Sequence, residues 1–174
     1  EKDDSGYSFP IGKQRGVKLR DIIDQDNKDN SLKISAFELS RIQYHFANSS
    51  EVRVQHDNSM YAPHTKKGRH GVYSFQKSDG ALRFHIGDVA KTQIQEAFYA
   101  CLDTYSPTII ANRTPKLWDI GRKLSVLESS RLQGFPDKFL FNVSNAQAYK
   151  QLGNSVSIPV ITALANKFDF NKDE

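Results

Sequence analysis

Residues 122–137 read Arg-Lys-Leu-Ser-Val-Leu-Glu-Ser-Ser-Arg-Leu-Gln-Gly-Phe-Pro-Asp, and few stretches this short leave a backbone so little freedom. Ser125 followed three residues later by Glu128 is a capping box, in which each side chain satisfies the other residue's backbone N–H at a helix start. Gly134 supplies a C-terminal cap and Pro136 forbids continuation. The pattern predicts a helix from Val126 to Gln133 and then a tight turn, whatever the chain does. After a short spacer comes a second block, Gln147 to Val156, reading Gln-Ala-Tyr-Lys-Gln-Leu-Gly-Asn-Ser-Val.

In that second block Gly153-Asn154-Ser155 stands just ahead of a closing helix expected over Val160–Phe168, with Pro159 near its first turn, where a missing N–H costs least. A flexible glycine followed by Asn and Ser at a helix N-terminus offers free N–H groups and side-chain donors, a natural seat for a carboxylate. Ordinary N-capping by Asn154 or Ser155 accounts for the same letters.

The chain is 174 residues long and 38% apolar, enough for one core with a smaller appended module. No run of about 18 apolar residues could cross a bilayer, and the start is polar instead of signal-like, so the expected home is the cytoplasm, with no membrane partner. The first residue, Glu1, is not Met, which fits a trimmed start or a piece of something longer. The lone cysteine, Cys101, excludes an internal disulfide framework and a cysteine-based zinc cluster, and no metal site is expected.

Ahead of the two blocks the pattern is mixed. Tyr7–Asp24 suggests an edge strand ending at Pro10 and a short helix, followed by a polar linker from Gln25 to Ser31. Ser35 and Glu38 form another capping box, and Leu39, Ile42 and Phe46 follow at helical spacing to about Asn48. Val52–Gln55 reads as a strand and Asn58–Gly71 as a polar loop. Val72–Phe75 and Leu82–Ile86 then read as a hairpin, with Leu82, Phe84 and Ile86 inward and Arg83 and His85 outward. Ile94, Phe98, Cys101 and Leu102 form one stripe of an amphipathic helix over Lys91–Asp103, which would bury Cys101. Pro107–Ala111 is a short β-rich run, and Asn112–Gly121 a loop around Trp118.

Net charge is only +4, from 24 Lys+Arg against 20 Asp+Glu. Between Arg53 and Arg83, however, six positive residues face two negative ones, with His56, His64, His70, Tyr61, Tyr73 and Phe75 interleaved. Such a run is either a solvated face or a nucleic-acid surface.

The two C-terminal blocks resemble the ninth and tenth conserved blocks of the DNA cytosine-5 methyltransferases. In that family the ninth block orders the target-recognition region against the catalytic domain, and Arg122, Glu128 and Arg131 match its charged positions. Leu127 departs from it, standing where an arginine is common. The resemblance makes Gly153, Asn154, Ser155 and Val156 the seat for the amino-acid end of S-adenosylmethionine. Tyr105-Ser106-Pro107-Thr108-Ile109-Ile110 is similar to the family's Thr-containing recognition segment, which implies that Thr108 supports the phosphate beside a flipped cytosine. Phe9-Pro10 and Leu19–Ile22 resemble the segment after the eighth block, so the likeness spans nearly the whole chain.

The same resemblance makes His45–Asp103 the variable region that reads double-stranded DNA. Arg53, Lys66, Lys67, Arg69, His70 and Arg83 are its candidate contacts. An arginine reading guanine there is worth about 1–3 kcal/mol of discrimination, and the lysines set the salt dependence. The family's glycine-rich cofactor loop, Pro-Cys nucleophile and Glu-Asn-Val acid have no counterpart. Cys101 follows Ala100, not Pro, and an apolar stripe would suppress its thiolate.

The expectation is therefore an α+β chain in three parts. Residues 1–31 follow a catalytic domain, 32–121 form the target-recognition region of short strands and loops, and 122–174 carry helices that complete a Rossmann-like methyltransferase domain supplied elsewhere. Such a chain would be inactive alone. A catalytic subunit or N-terminal domain with the Pro-Cys loop would complete it, in a DNA (cytosine-5)-methyltransferase of the restriction–modification kind. A docking face around Leu124, Leu132, Phe135, Val156 and Val160 should then be exposed. Two other readings are a stand-alone DNA-binding module and a tRNA cytosine methyltransferase fragment. A-form RNA hides its major groove, which suits the basic stretch less well.

Overall fold

The computed structural model describes residues 16–48, 55–57, 70–78, 81–88, 94–111 and 113–167, with the backbone alone for the strand residues before Phe98. Mixed helix and sheet make up an α+β fold, as the pattern predicts. Helix α1 spans Ala36–Asn48, α2 Val126–Leu132, α3 Asn145–Asn154 and α4 Ile158–Ala165. Strands β1 (Gln55–Asp57), β2 (His70–Ser78), β3 (Ala81–Asp88), β4 (Ile94–Ala100), β5 (Lys116–Leu117) and β6 (Arg122–Lys123) form one sheet in that order. Every neighbouring pair is antiparallel except β4–β5, which is parallel.

The hairpin is longer than its apolar alternation indicates. Pairing runs from His70↔Asp88 to Ser78↔Ala81, leaving residues 79 and 80 as the connection, and the register shifts between Val72 and Ser74. One extra residue in a strand bends it and increases its twist. Of the expected strand over Val52–Gln55, only Gln55 lies within the described residues, as the first residue of β1. The strand ending at Pro10 and residues 58–69 of the polar loop lie outside them. The short helix after Pro10 is a 3-10 turn at Leu19–Asp21, and a second turn, Asn30–Leu32, closes the polar stretch before α1.

The expected helix over Lys91–Asp103 is instead β4. Ile94, Phe98 and Leu102 are four residues apart, a spacing that is even and so serves a strand as well as a helix. Phe98, Tyr99 and Ala100 are all buried, as in a strand covered on both faces. Cys101 is accordingly not on a helix. It sits half-buried in the turn after β4, where its carbonyl accepts from Thr104 Oγ1 at 2.8 Å.

Pro107–Ala111 forms no strand, only an isolated bridge between Ile110 and Arg113, and the expected loop over Asn112–Gly121 contains β5.

The core gathers the first 3-10 turn, β4, β5 and the residue before the α2 cap. Leu19, Ala100, Leu117 and Leu124 are buried together, with Ile22, Ile23, Leu102 and Leu132 packed against them. The first turn is tied to the loop after β4 by Leu19 N–H to Thr104 O at 3.0 Å and Arg20 N–H to Leu102 O at 2.9 Å. Helix α1 is anchored by Ile42 and His45, which are buried, and by Phe46 stacked on Trp118 with ring centroids 4.6 Å apart.

Ser35 Oγ accepts the Glu38 N–H at 3.2 Å, as its capping box predicts. The Glu38 carboxylate meanwhile accepts Tyr99 Oη at 2.5 Å and pairs with Lys116 Nζ, joining α1 to β4 and β5. Burial above all, then the negative charge and hydrogen bond of Glu38, push the Tyr99 phenol well above its ordinary range. Among the described residues no helix is long and apolar enough to cross a membrane.

Candidate functional site

Helix α2 is the platform of the site. Its capping box is complete: Glu128 N–H donates to Ser125 Oγ at 3.1 Å and Ser125 N–H to Glu128 Oε2 at 2.7 Å. At the other end Gly134, with φ +82°, donates to Arg131 O and Phe135 N–H donates to Ser130 O, each at 3.0 Å. These two bonds are the Schellman termination, which needs a left-handed residue after the cap.

Glu128 is fully buried and carries more than the cap. Arg122 Nη1 and Nη2 reach its two oxygens at 2.8 and 2.7 Å, and Asp24 N–H adds a bond at 2.9 Å. Burial pushes this carboxyl up, yet the bonds from Arg122, Ser125 and Asp24 outweigh it and hold the pKa below the ordinary glutamate value. The Arg122 guanidinium is raised in turn, chiefly by its hydrogen bond to Glu128. Arg131 pairs bidentately with Asp137 at 2.8 and 2.7 Å and donates to Ile22 O at 2.9 Å. All three charged positions singled out in the sequence thus tie α2 and its turn to residues 22–24.

Helix α3 packs on α2 through Ala148 and Leu152, both buried. Tyr149 Oη donates to Leu124 O at 2.8 Å, and burial, then the charge of Glu128, push its phenol up to about 12. This helix runs through Gly153 and Asn154. Those residues therefore form the last turn of α3 and not the approach to α4, whose N-cap is Ser157. The reason is packing, since Ala148 and Leu152, four apart, hold the helix on α2 to its final turn. Pro159 lies in the first turn of α4, where the sequence places it.

Gly153 has a steric task. A Cβ on it would stand 2.1 Å from Ala111 N and 2.3 Å from Ile110 C, so only glycine admits this approach of backbones. The contact brings the Thr108 segment against the Gly153–Val156 segment. Thr108 itself is exposed, two residues from that contact.

The Gly153–Ser157 connection can satisfy a zwitterion. Among the described residues no hydrogen bond occupies the N–H of Val156 or Ser157, or the exposed side chain of Asn154. Ser155 Oγ donates to Leu152 O at 2.8 Å, which leaves its oxygen free to accept. The C-terminal end of α3 favours positive charge and the N-terminal end of α4 negative charge. An amino-acid end group presents that pair of charges.

Of the candidate DNA contacts, Arg53, Lys66, Lys67 and Arg69 lie outside the described residues. His70 opens β2 opposite Asp88, and Arg83 stands in β3 between Gln76 and Phe98. The expected docking face is partly corrected. Leu124 is fully buried in the core and Leu132 and Phe135 are half-buried, whereas Val156 and Val160 are 60% and 52% exposed. Ile161, at 49%, extends the exposed face. Sequence reasoning missed α3, signalled by Ser144 ahead of Ala148 and Leu152, and it missed Gln133, Tyr149 and Asp24.

Comparison with known proteins identifies a family. The family model for C-5 cytosine-specific DNA methylase matches residues 5–169. The chain is 61% identical over 46 residues to the Type II methyltransferase M.SsoII of Shigella sonnei, covering 26% of this chain and 12% of that protein. It is 54% identical over 46 residues to M.HpaII of Haemophilus parainfluenzae, covering 26% and 13%. With M.HgiCI of Herpetosiphon aurantiacus the identity is 39% over 66 residues, covering 36% and 16%. The matched segments thus span less than one fifth of each of these relatives.

Proposed function

Because this chain belongs to the C-5 cytosine-specific DNA methylase family, we propose that it supplies DNA recognition and the last wall of the cofactor pocket to a methyltransferase whose nucleophile lies elsewhere. The observation that carries this reading is α4. Its sequence, Ile-Pro-Val-Ile-Thr-Ala-Leu-Ala, is apolar along its length, yet none of its residues is buried. A helix apolar all round belongs inside a core, and a Rossmann-like methyltransferase domain supplied elsewhere is the core it fits.

The division of labour follows from the residues. S-adenosylmethionine, when bound, supplies the methyl group destined for carbon 5 of cytosine. This chain's part is to hold the amino-acid end of that donor. Asn154 and the N–H groups of Val156 and Ser157 would hold its carboxylate, and the Ser155 oxygen would accept from its ammonium.

Gly153 holds the seat against the backbone of Ile110–Ala111. Thr108, with Arg53, Lys66, Lys67, Arg69, His70 and Arg83, addresses the duplex, the arginines as base readers and the lysines on phosphates. Attack on carbon 6 needs a thiolate, and Cys101, behind Ala100 in a turn, is not offered for it. The catalytic subunit, or an N-terminal domain with the Pro-Cys loop, provides that group.

The test is reconstitution. The chain alone, given labelled S-adenosylmethionine and unmethylated duplex DNA, transfers no methyl group, and the catalytic polypeptide that co-purifies with it restores transfer. Transfer by the isolated chain refutes the proposal. Tighter binding of tRNA than of duplex DNA by the assembled pair, or duplex binding with no S-adenosylmethionine uptake, would move the assignment to one of the two other readings.

A further inference from the structure

We propose that Gln133 is a positioning residue for the methyl donor, acting through the Gly153–Ser157 connection. The inference rests on the reading of that connection as the donor's seat. Gln133 is buried, and it grips the connection at both ends. Its side-chain Nε2 donates to Leu152 O at 3.0 Å, and its backbone carbonyl accepts Ile158 N–H at 2.8 Å. Leu152 is the residue before the connection and Ile158 the one after it.

Gln133 is itself fixed by the termination of α2, where its N–H donates to Ser130 O at 3.0 Å and Gly134 follows with φ +82°. Behind the connection, Gly153 lies so close to the backbone of Ile110–Ala111 that not even a Cβ fits between them, so a shift toward that side is opposed by backbone. Any slack appears on the open side, where Asn154 and the N–H groups of Val156 and Ser157 are presented.

The bond to Leu152 O can be removed without undoing the turn. That oxygen also accepts Ser155 N–H at 3.3 Å and Ser155 Oγ at 2.8 Å, both local to the chain. Losing the Gln133 amide therefore leaves the turn closed and its far end still bonded to the Gln133 carbonyl through Ile158 N–H, while the near end loses its hydrogen bond to the end of α2. Gln133→Met keeps the length of the side chain and loses the donor. Gln133→Asn keeps the amide and falls one methylene short.

The experiment is calorimetric titration of S-adenosylmethionine into the chain assembled with its catalytic partner, without DNA, alongside duplex binding and thermal melting. In both variants the donor Kd rises about fivefold, the equivalent of one neutral hydrogen bond, while duplex affinity stays within about twofold by the same arithmetic. If Met at this position prevents assembly, the Asn variant decides. An unchanged donor Kd in the assembled variants, with Asn154→Ala weakening donor binding, overturns the role of Gln133 and leaves the seat in place. An unchanged Kd for Asn154→Ala as well removes the seat and this inference with it. Parallel loss of donor affinity, duplex affinity and melting temperature overturns it too, by reducing Gln133 to a folding role.

Discussion

Arg122 and Glu128 face each other inside the protein, joined by two parallel bonds of 2.8 and 2.7 Å, with the Glu128 side chain fully out of solvent and that of Arg122 nearly so. The Glu128 carboxylate accepts four bonds in all, from Arg122 twice, Ser125 N–H and Asp24 N–H. It is therefore a junction between the capping of α2, the edge strand β6 and the segment before α1. Removing one partner of such a pair strands the other charge and typically costs about 3–5 kcal/mol. Glu128→Ala should lower unfolding free energy by that amount in urea denaturation, and Arg122→Met/Glu128→Leu together should recover only the part due to the stranded charge, because the N–H groups of Ser125 and Asp24 still lack their acceptor.

Acid should find the same junction. The folded pKa of Glu128 lies below its ordinary value, so its contribution is complete above the unfolded carboxyl range, near 4.5, and is shed as pH falls through the depressed folded value. Asp137, held down chiefly by its hydrogen bond from Arg131, acts in the same direction at the surface, where solvent screens it. Melting temperature followed from neutral pH into acid should fall below about pH 4.5, the unfolded side of that linkage. In Glu128→Gln the fall should be shallower and start from a lower neutral value. Equal acid limbs in the two proteins would dissociate this carboxylate from acid unfolding.

Glycine at 153 should tolerate nothing larger. Its Cβ would stand 2.1 Å from Ala111 N, a backbone atom that cannot swing aside as a side chain could. Gly153→Ala must separate α3 from Ile110–Ala111, an overpacking that costs about 1–3 kcal/mol. Amide exchange should quicken in residues 109–111 and 152–155 while α1 keeps its protection. In the assembled enzyme, donor and duplex affinities should drop together, since the contact joins the segments proposed to bind them.

How much of this could be read in the letters depends on how local the cause is. The start of α1, both ends of α2 and Pro159 in the first turn of α4 follow from capping rules acting within four residues. Arg122, Glu128 and Arg131 were legible as a group, but their partners Asp24 and Ile22 lie about a hundred positions away and leave no mark in the pattern.

Strand β4 was hidden because Ile94, Phe98 and Leu102 satisfy two periods at once. The two-residue strands β5 and β6 are too short to have a period at all. Gly153 showed that freedom was needed there, not why. The cause is Ala111, more than forty residues earlier, whereas the proposed seat stands at the joint between two helices because Ala148 and Leu152 carry α3 through Asn154.

The joint leads into the apolar helix, and there the last prediction lies. Val160 and Ile161 are about half exposed, and full burial of a side chain of this kind contributes about 1.5–3 kcal/mol. Neither side chain is buried, so replacing both by Gln takes no buried residue from the core. Gln is also the better helix former, because β-branched chains lose rotamer freedom against the preceding turn. The isolated double variant should thus melt within a few degrees of the parent chain and be more soluble. If α4 docks on the catalytic part, burying the exposed half of each side chain, the same variant should bind it at least about tenfold more weakly, roughly 1.4 kcal/mol. Sedimentation of the mixed polypeptides reads this directly. Undiminished assembly would place the docking face elsewhere and leave the apolar character of α4 without a partner.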